Sequence, residues 1–293
     1  MRLSNKYKLI SHATDGFGVY QKVTAADAGW EHLNFEARLM QKGDVWKGNT
    51  GENEYGFILL SGNYIVETDK GSWATINGRK NVFSGIAHSL YLPRHTSFSI
   101  KAESEVLDIA AGWSRATADF PARFKTPEEA AIEIRGGDNA TRQINSLIEP
   151  GFGCSKIVAV EVYTPSGSWS SFPAHKHDER ILDAEGKVQE ADLEEFYFYK
   201  IDQPKGYAIQ HVYTSDGSLN ELMQVRNNDI VMVPEGYHPV SAAPGYNCYY
   251  LNFLAGSDQS LANTPDPDHE WIFNSWKTKD PRIPMVSAEM NNL

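Results

Sequence analysis

The chain has 293 residues, 41% of them apolar and 22% charged, which is the balance of a folded globular protein. Its formal net charge of −11 opposes contact with phosphate backbones and anionic membranes, so we expect neither nucleic acid nor a membrane as a partner. With two cysteines and no apolar run of membrane-spanning length, we expect a cytoplasmic protein whose chemistry relies on histidine, carboxylates and hydroxyls.

Short segments rich in Val, Ile, Tyr, Phe and Thr, separated by Gly, Pro, Asn and Asp, recur along the chain. Examples in chain order are residues 55–68, 157–164, 230–234 and 246–254. This texture predicts an all-β fold, a sandwich or barrel of many short strands. Between the first two examples, the sequence TPEEAA from Thr126 carries a capping-box pattern and predicts a helical segment of as little as one turn.

The two halves of the sequence carry a faint internal similarity. EYGFILLSG (residues 54–62) is followed by YLPRHTSF from Tyr91, and EFYFYKIDQPKG (residues 195–206) by MVPEGYHPV from Met232. Each pair reads as a strand headed by a carboxylate, a glycine turn, and a strand that ends at a proline corner. Two copies of one β-barrel would produce this pattern, with a boundary near the polar residues 135–142. Two unrelated halves of a single β-domain are the alternative.

A pair of histidines precedes a charged stretch, residues 178–194, whose composition predicts a solvated loop between two strands. His175 and His177 are two positions apart, so on a strand both imidazoles project to the same face. A metal bound by both needs a further carboxylate or imidazole from a neighbouring strand.

The segment EEFYFY offers that carboxylate. On a strand, Glu195 shares one face with Tyr197 and Tyr199, whereas Glu194 shares the other with two phenylalanines. The apolar face would pack against another sheet or subunit, which favours Glu195 as the residue in a polar lumen. His238 follows a Pro-x-Gly corner, where glycine permits a tight bend. Three of nine histidines thus fall in one pattern, which indicates a metal site; a barrel with merely hydrogen-bonded histidines is the alternative.

The order His-x-His, strand-borne Glu, Pro-x-Gly-x-His resembles the paired motif of the cupin superfamily, although a charged insertion separates His177 from Glu195 here. Four segments are similar to the 5-deoxy-glucuronate isomerase family of myo-inositol breakdown. They are GSWSSFPAHKHD, LEEFYFYKIDQPKGYAIQHVYT, DIVMVPEGYHPVSAAPGYNCYYLN and PDPDHEWI. The similarity is dense between Arg135 and Trp271 and thinner before that.

The resemblance implies a bicupin of two tandem double-stranded β-helix (jelly-roll-like) barrels. Residues 1–135 would form an N-terminal degenerate cupin domain without metal, in which His88 and His95 are structural. Residues 136–293 would form a C-terminal cupin domain that binds one divalent ion, zinc by preference, with manganese or iron(II) as alternatives. The family's ligands fall on His175, His177, Glu195 and His238.

Substrate contacts are expected from strands that line or flank the barrel mouth. The candidates are Gln210, Tyr213, Tyr249, Asn252 and Arg142. Adjacent strand residues face opposite ways, so not all of them can point inward. Arg142 would pair with a substrate carboxylate, whereas Lys176, between two inward histidines, should point outward. The general acid–base residue stays unassigned. Its candidates are Tyr197, Tyr199, His211 and a metal-bound hydroxide.

The family's activity predicts a metal-dependent aldose–ketose isomerase that converts 5-deoxy-D-glucuronate to 5-dehydro-2-deoxy-D-gluconate in myo-inositol degradation. The alternatives are an isomerase of another hexuronate, such as a pectin-derived ketouronate, a cupin dioxygenase, and a sugar-binding cupin without catalysis. Because bicupins often associate through sheet faces or exchanged strands, a homo-oligomer is expected.

Overall fold

The protein, described by a computed structural model over residues 9–291, consists mostly of short β-strands, which confirms the all-β prediction. The strands of the first part are β1 (Ile10–Ser11), β2 (Gly18–Val23), β3 (Asn34–Gln41), β4 (Val45–Asn49), β5 (Asn53–Ser61), β6 (Tyr64–Thr68), β7 (Gly71–Ala74), β8 (Ser89–Leu92), β9 (Ser97–Ala102), β10 (Val106–Arg115) and β11 (Arg123–Lys125).

The strands of the second part are β12 (Ala131–Arg135), β13 (Arg142–Ile148), β14 (Val158–Thr164), β15 (Trp169–Ser170), β16 (His175–Lys176), β17 (Asp178–Leu182), β18 (Val188–Ile201), β19 (Ala208–Tyr213), β20 (Asn220–Val225), β21 (Ile230–Val233), β22 (Val240–Ala242), β23 (Cys248–Gly256) and β24 (Thr264–Pro265). The helical segments are α1 (Ala25–Ala28) and the 3-10 turns Pro127–Glu129, Asp138–Ala140, Glu270–Asn274 and Ala288–Met290. None of the helices in the described residues is long and apolar enough to cross a membrane.

The strands close into two barrels, each made of a larger and a smaller sheet. In the N-terminal barrel a sheet of order β11-β8-β5-β10-β3-β2 faces one of order β4-β9-β6-β7, with a core of aromatic and aliphatic side chains between them. In the C-terminal barrel a sheet of order β1-β21-β18-β23-β14-β13-β12 faces one of order β15-β22-β19-β20. The two-barrel prediction is therefore confirmed.

Strand pairing assigns the segments around the expected boundary. β12 pairs with β13, opposite Arg142–Ile148, and so belongs to the C-terminal sheet although it precedes residue 136. β11 pairs with β8 in the N-terminal sheet, which leaves residues 126–130 as the connection. The N-terminal strand β1 crosses to the other barrel, where Ile10 pairs with Val231. A division within residues 126–130 therefore fits the sheets better than one at residue 135.

The larger sheets of the two barrels pack against each other through a shared apolar core. Phe196 and Phe198 enter this core, where Phe35 lies 5.1 Å from the Phe198 ring centre, as the alternation along β18 predicts. Two carboxylates bind the barrels together reciprocally. Glu194 accepts the backbone N–H groups of residues 31–33 at 2.7–2.9 Å, and Glu54 accepts those of residues 155–157 at 2.6–2.9 Å.

Two local predictions have different outcomes. The TPEEAA segment forms a single 3-10 turn, Pro127–Glu129, closed by the predicted capping box between Thr126 and Glu129. The charged stretch after the histidine pair is not a loop throughout. Most of it forms the antiparallel hairpin β17–β18, in which Asp178 pairs with Asp192. Charge alone suggested a solvated loop, but strand pairing satisfies the backbone of this stretch, and Glu190, Ala191 and Leu193 on β18 are buried.

Candidate metal centre and substrate cavity

Three histidines meet inside the C-terminal barrel. His175 lies on β16, His177 directly precedes β17, and His238 lies in the corner after β21. The ring centre of His238 is 4.9 Å from those of both His175 and His177, and the three ligand nitrogens lie within 4.8 Å of one another. The corner depends on Gly236, whose φ of +84° and contact with the Tyr213 carbonyl leave no room for a Cβ.

Glu195 completes the cluster from β18. Its Oε2 atom lies 3.0 Å from Nε2 of His177 and 3.3 Å from Nε2 of His238. Both histidines and the carboxylate are buried. One carboxylate oxygen is thus shared between two imidazole nitrogens with little access of water.

The second nitrogen of two rings is held by the backbone. Nδ1 of His238 donates to the Gly236 carbonyl at 2.8 Å, and Nδ1 of His177 faces the Leu193 carbonyl at 3.2 Å. A ring that donates from Nδ1 carries its lone pair on Nε2 when neutral. Nε2 of His238 is buried and has no hydrogen-bond partner among the described residues. A lone pair on Nε2 of His238 that faces a carboxylate fits a divalent cation, and donation from Nδ1 to a carbonyl is the usual second contact of a metal-bound histidine.

The protonation of the cluster agrees with this donor set. Burial lowers the pKa of His238 to about 4, an effect that Glu195 only partly offsets. Burial, followed by the charges of His238 and His177, holds the pKa of His175 well below its usual value. For His177 burial also acts downward, but the hydrogen bond and charge of Glu195 outweigh it and raise the pKa. At neutral pH at least two imidazoles are therefore neutral, as metal ligation requires.

A cavity of about 260 Å³ opens beside the cluster. Its polar lining residues include Arg142, Ser171, Tyr197, Tyr250 and Asn252, and its apolar ones are Ile144, Val160, Val162, Leu254 and Leu261. Ser171 links two phenols, with its Oγ 3.1 Å from the Tyr197 hydroxyl and 3.4 Å from the Tyr250 hydroxyl. The volume suits a molecule of sugar size.

Arg142 brings a positive charge into this cavity. The residue is only 4% exposed, and its hydrogen bonds within residues 9–291 run through Nη1 to the carbonyls of Ala140 and Phe172. Burial lowers its pKa to about 10, so it remains charged at neutral pH. No Asp or Glu of the described chain forms an ion pair with it, whereas neighbouring Arg135 is paired with Glu133. A buried cation without a carboxylate is costly unless a ligand supplies one.

Comparison with known proteins matches residues 8–272 to the model of the KduI/IolB family. The chain belongs to the KduI/IolB family. It is 37% identical to a 5-deoxy-glucuronate isomerase of Geobacillus thermodenitrificans, over 92% of this chain and 97% of that protein, and 34% identical to one of Listeria monocytogenes, over 88% and 93%.

Solved structures agree with the family assignment. An IolB-like protein of Salmonella typhimurium superposes with a TM-score of 0.86 at 34% identity, over 90% of this chain and 99% of that one. Oxalate decarboxylase of Bacillus subtilis superposes with a TM-score of 0.63 at 13% identity, over 88% and 79%, which is a likeness of fold alone. The KduI/IolB chain is thus a bicupin.

Of the residues expected to contact substrate in this KduI/IolB protein, two line the cavity, namely Arg142 and Asn252. Gln210 is buried behind His238, where it accepts from the Tyr199 hydroxyl at 2.7 Å. The Tyr213 hydroxyl donates to Asp266 outside the cavity. The prediction that Tyr249 contacts substrate needs correction. It alternates with Tyr250 and therefore lies in the core between the barrels, not in the lumen.

The remaining candidate residues also divide into those inside the cavity and those outside it. Lys176 points outward, as predicted, and pairs with Asp178 and Glu190. His211, considered as a base, stacks on Tyr213 and binds Asn220 away from the cluster. Sequence reasoning missed Ser171 and Tyr250. Tyr250 could have been found from the register of β23, since it shares a face with Asn252, but nothing in the sequence marks Ser171.

The N-terminal barrel of the family fold has a different interior. In the C-terminal barrel Glu195 pairs with Val233, the residue before the proline of the corner. In the N-terminal barrel the residue before the equivalent proline is Leu92, and it pairs with Tyr55. Tyr55 stacks on Trp113 with ring centres 5.2 Å apart, and further aromatic rings fill the lumen. A phenol therefore stands where the other barrel has its carboxylate.

Proposed function

We propose that this protein is a metal-dependent aldose–ketose isomerase that converts 5-deoxy-D-glucuronate to 5-dehydro-2-deoxy-D-gluconate. The observation that carries the proposal is a cluster of three imidazoles and one carboxylate beside a cavity that also holds an arginine with no carboxylate partner among the described residues. The names of relatives at 37% and 34% identity, over most of both chains, support the same reaction.

His175, His177, Glu195 and His238 would hold the ion. When bound, a divalent ion supplies Lewis-acid polarisation of the substrate carbonyl, which acidifies the adjacent C–H. Three nitrogens and one oxygen suit zinc, with manganese and iron(II) as alternatives. The carbonyl end of an open-chain sugar acid would therefore lie at the histidines.

Arg142 would bind the other end of the substrate. Its guanidinium can donate to a carboxylate, and the burial of both groups strengthens that pair. Asn252 offers an amide to a substrate hydroxyl. With the carboxylate held at Arg142 and the carbonyl at the histidines, the sugar acid has one orientation in the cavity.

Tyr197 and Ser171 are the hydroxyls best placed to move a proton near the reacting carbons. The Tyr197 ring centre lies 5.8 Å from that of His238. Burial, followed by the charge of Glu195, raises the pKa of Tyr197 well above its usual value. Tyr197 therefore acts as a neutral phenol that donates or relays a proton, and not as a standing phenolate base.

A turnover assay tests the proposal. Conversion of 5-deoxy-D-glucuronate, followed by NMR, is expected with the divalent ion and should stop when a chelator removes it. His177→Ala should lose metal and turnover together, whereas His211→Ala, a surface histidine of the same barrel, should retain both. A His177→Ala protein that lacks metal yet keeps full activity would contradict the Lewis-acid role. Binding without conversion would favour a sugar-binding cupin.

We place the activity in myo-inositol degradation, in the cytoplasm, and in a homo-oligomer. Metal analysis of the purified protein identifies the ion, and light scattering after gel filtration gives the number of subunits.

A further inference from the structure

The cavity wall changes in polarity between the histidine cluster and Arg142. Toward the cluster the lining carries polar side chains, since Tyr197 and Asn252 are paired in register across β18 and β23, beside the apolar Val160 and Leu254. Next to Arg142 it is apolar. Ile144 lies two residues beyond Arg142 on β13, on the same face, and Val162 is its register partner on β14.

The polar groups level with this apolar pair across the sheet are already engaged, whereas Ser146, two residues beyond Ile144 on the same face, lies opposite Val160 toward the histidines. Tyr250 is the register partner of Val162 on β23, and its hydroxyl faces Ser171. Glu133 is the register partner of Ile144 on β12, and both of its oxygens accept from Arg135, at 2.9 and 2.7 Å. A ligand hydroxyl placed against Ile144 and Val162 would therefore lose water and gain little in return.

We propose that Ile144 and Val162 make the enzyme selective for sugar acids that lack a hydroxyl on the carbon next to the carboxylate. The inference rests on the proposed function, in which Arg142 binds the carboxylate and the histidines mark the carbonyl end. The carbon beside the carboxylate then lies against these two side chains. A methylene gains from burial there, whereas a hydroxyl is left without a partner.

The direct test adds a hydroxyl to the wall. Val162→Thr keeps the branched shape and supplies a hydrogen-bonding group at the proposed position. Val160→Thr is the matched control, because Val160 lies on the same strand and face but opposite Asn252, toward the histidines. For each protein kcat/KM is measured with 5-deoxy-D-glucuronate and with D-glucuronate.

D-Glucuronate closes to a pyranose through the very hydroxyl that distinguishes it, so the two substrates differ in their open-chain fraction. Selectivity is the kcat/KM for D-glucuronate divided by that for 5-deoxy-D-glucuronate. The open-chain fraction belongs to the substrate, so it cancels when the selectivity of a variant is divided by that of the wild type. We expect Val162→Thr to shift this ratio toward D-glucuronate by roughly tenfold, within the limited discrimination that an apolar pocket has against one hydroxyl. Val160→Thr should leave the ratio unchanged.

No shift in Val162→Thr, or an equal shift in Val160→Thr, would overturn the inference. Should Val162→Thr fail to fold, Ile144→Thr on the adjacent strand carries the same expectation, and an unchanged ratio there is equally fatal. A wild-type protein inactive on 5-deoxy-D-glucuronate would instead refute the proposed function. Binding calorimetry then still tests the selectivity. The two ligands are L-gulonate, which is D-glucuronate reduced at its aldehyde, and the same acid without the hydroxyl next to the carboxylate. Stronger binding of the deoxy acid supports the inference, and equal binding refutes it.

Discussion

At the histidine cluster, the hydrogen bond on one ring nitrogen decides what the other nitrogen can do. Donation from Nδ1 of His238 to Gly236 directs the Nε2 lone pair at Glu195, and no group in residues 9–291 donates a hydrogen bond to it. Ser171 is a second residue whose position is fixed by its surroundings. Its backbone φ of +48° is uncommon for residues other than glycine and asparagine. It holds a hydroxyl between two phenols of the cavity.

His88 provides a test at the scale of one residue, in the N-terminal barrel and away from the cluster. Burial lowers its pKa from 6.5 to about 4, so between these values the unfolded chain binds a proton that the folded chain does not. Stability is therefore intact above pH 6.5 and is lost as the pH falls toward 4, by about 2–3 kcal/mol at pH 4.5. Urea unfolding of the wild type, measured once above pH 6.5 and once at pH 4.5, should show this loss of stability.

His88→Gln removes the titrating group and should reduce the difference between the two pH values by that amount. The exposed His95→Gln is the control and should keep the wild-type difference. Equal pH dependence in wild type and His88→Gln would contradict the assignment, because another group would then carry the proton uptake.

At the scale of elements, alternation along strands was the most informative sequence signal. It assigned Glu195 and Tyr197 to one face of β18 and Phe196 to the other, as the structure has them. The same rule warned that Tyr249 and Asn252 could not both face the lumen, but did not identify which one would. Strand register decides this, and register is set by contacts distant in sequence. The hairpin β17–β18 was missed because the many charges around Ala191 and Leu193 obscured these alternate apolar residues, which β18 buries in the barrel core.

The corner between β21 and β22 gives a test of an element. Gly236→Ala places a Cβ against the Tyr213 carbonyl oxygen in a left-handed conformation, so the corner must shift and His238 with it. We expect a stability loss of about 1–3 kcal/mol and a metal affinity at least about tenfold weaker. Thermal unfolding and metal titration measure the two effects.

Gly245→Ala is the control that separates the cost of backbone strain from the displacement of His238. Gly245 also has a positive φ, +93°, but open space around its Cβ, so the substitution should cost about 1 kcal/mol and leave metal affinity unchanged. Equal metal affinity in both variants would show that the corner does not position His238.

At the scale of the whole molecule, the two barrels are joined into one body by a core that neither could cover alone. The larger sheets contribute side chains from both halves, and β1 crosses from the N-terminal segment to the C-terminal sheet. The sequence predicted two barrels from a faint repeat, but not how they join. That depends on polar contacts such as those of Glu54 and Glu194, which have no local signature.

The buried ion pair Arg79–Glu161 tests this union of the barrels. Arg79 reaches from the N-terminal barrel to Glu161 on β14 at 2.8 Å, and both side chains are fully buried. Removing one partner leaves an uncompensated charge inside the interface, so Arg79→Met and Glu161→Gln should each cost about 3–5 kcal/mol in urea unfolding. The double variant should cost clearly less than the sum of the two single losses, because neither charge is then left without its partner.

The exposed pair Arg94–Asp119 is the comparison and should show additive, small effects. Additive losses at Arg79 and Glu161 would mean that their attraction contributes little, and that apolar packing and the contacts of Glu54 and Glu194 hold the barrels together without it.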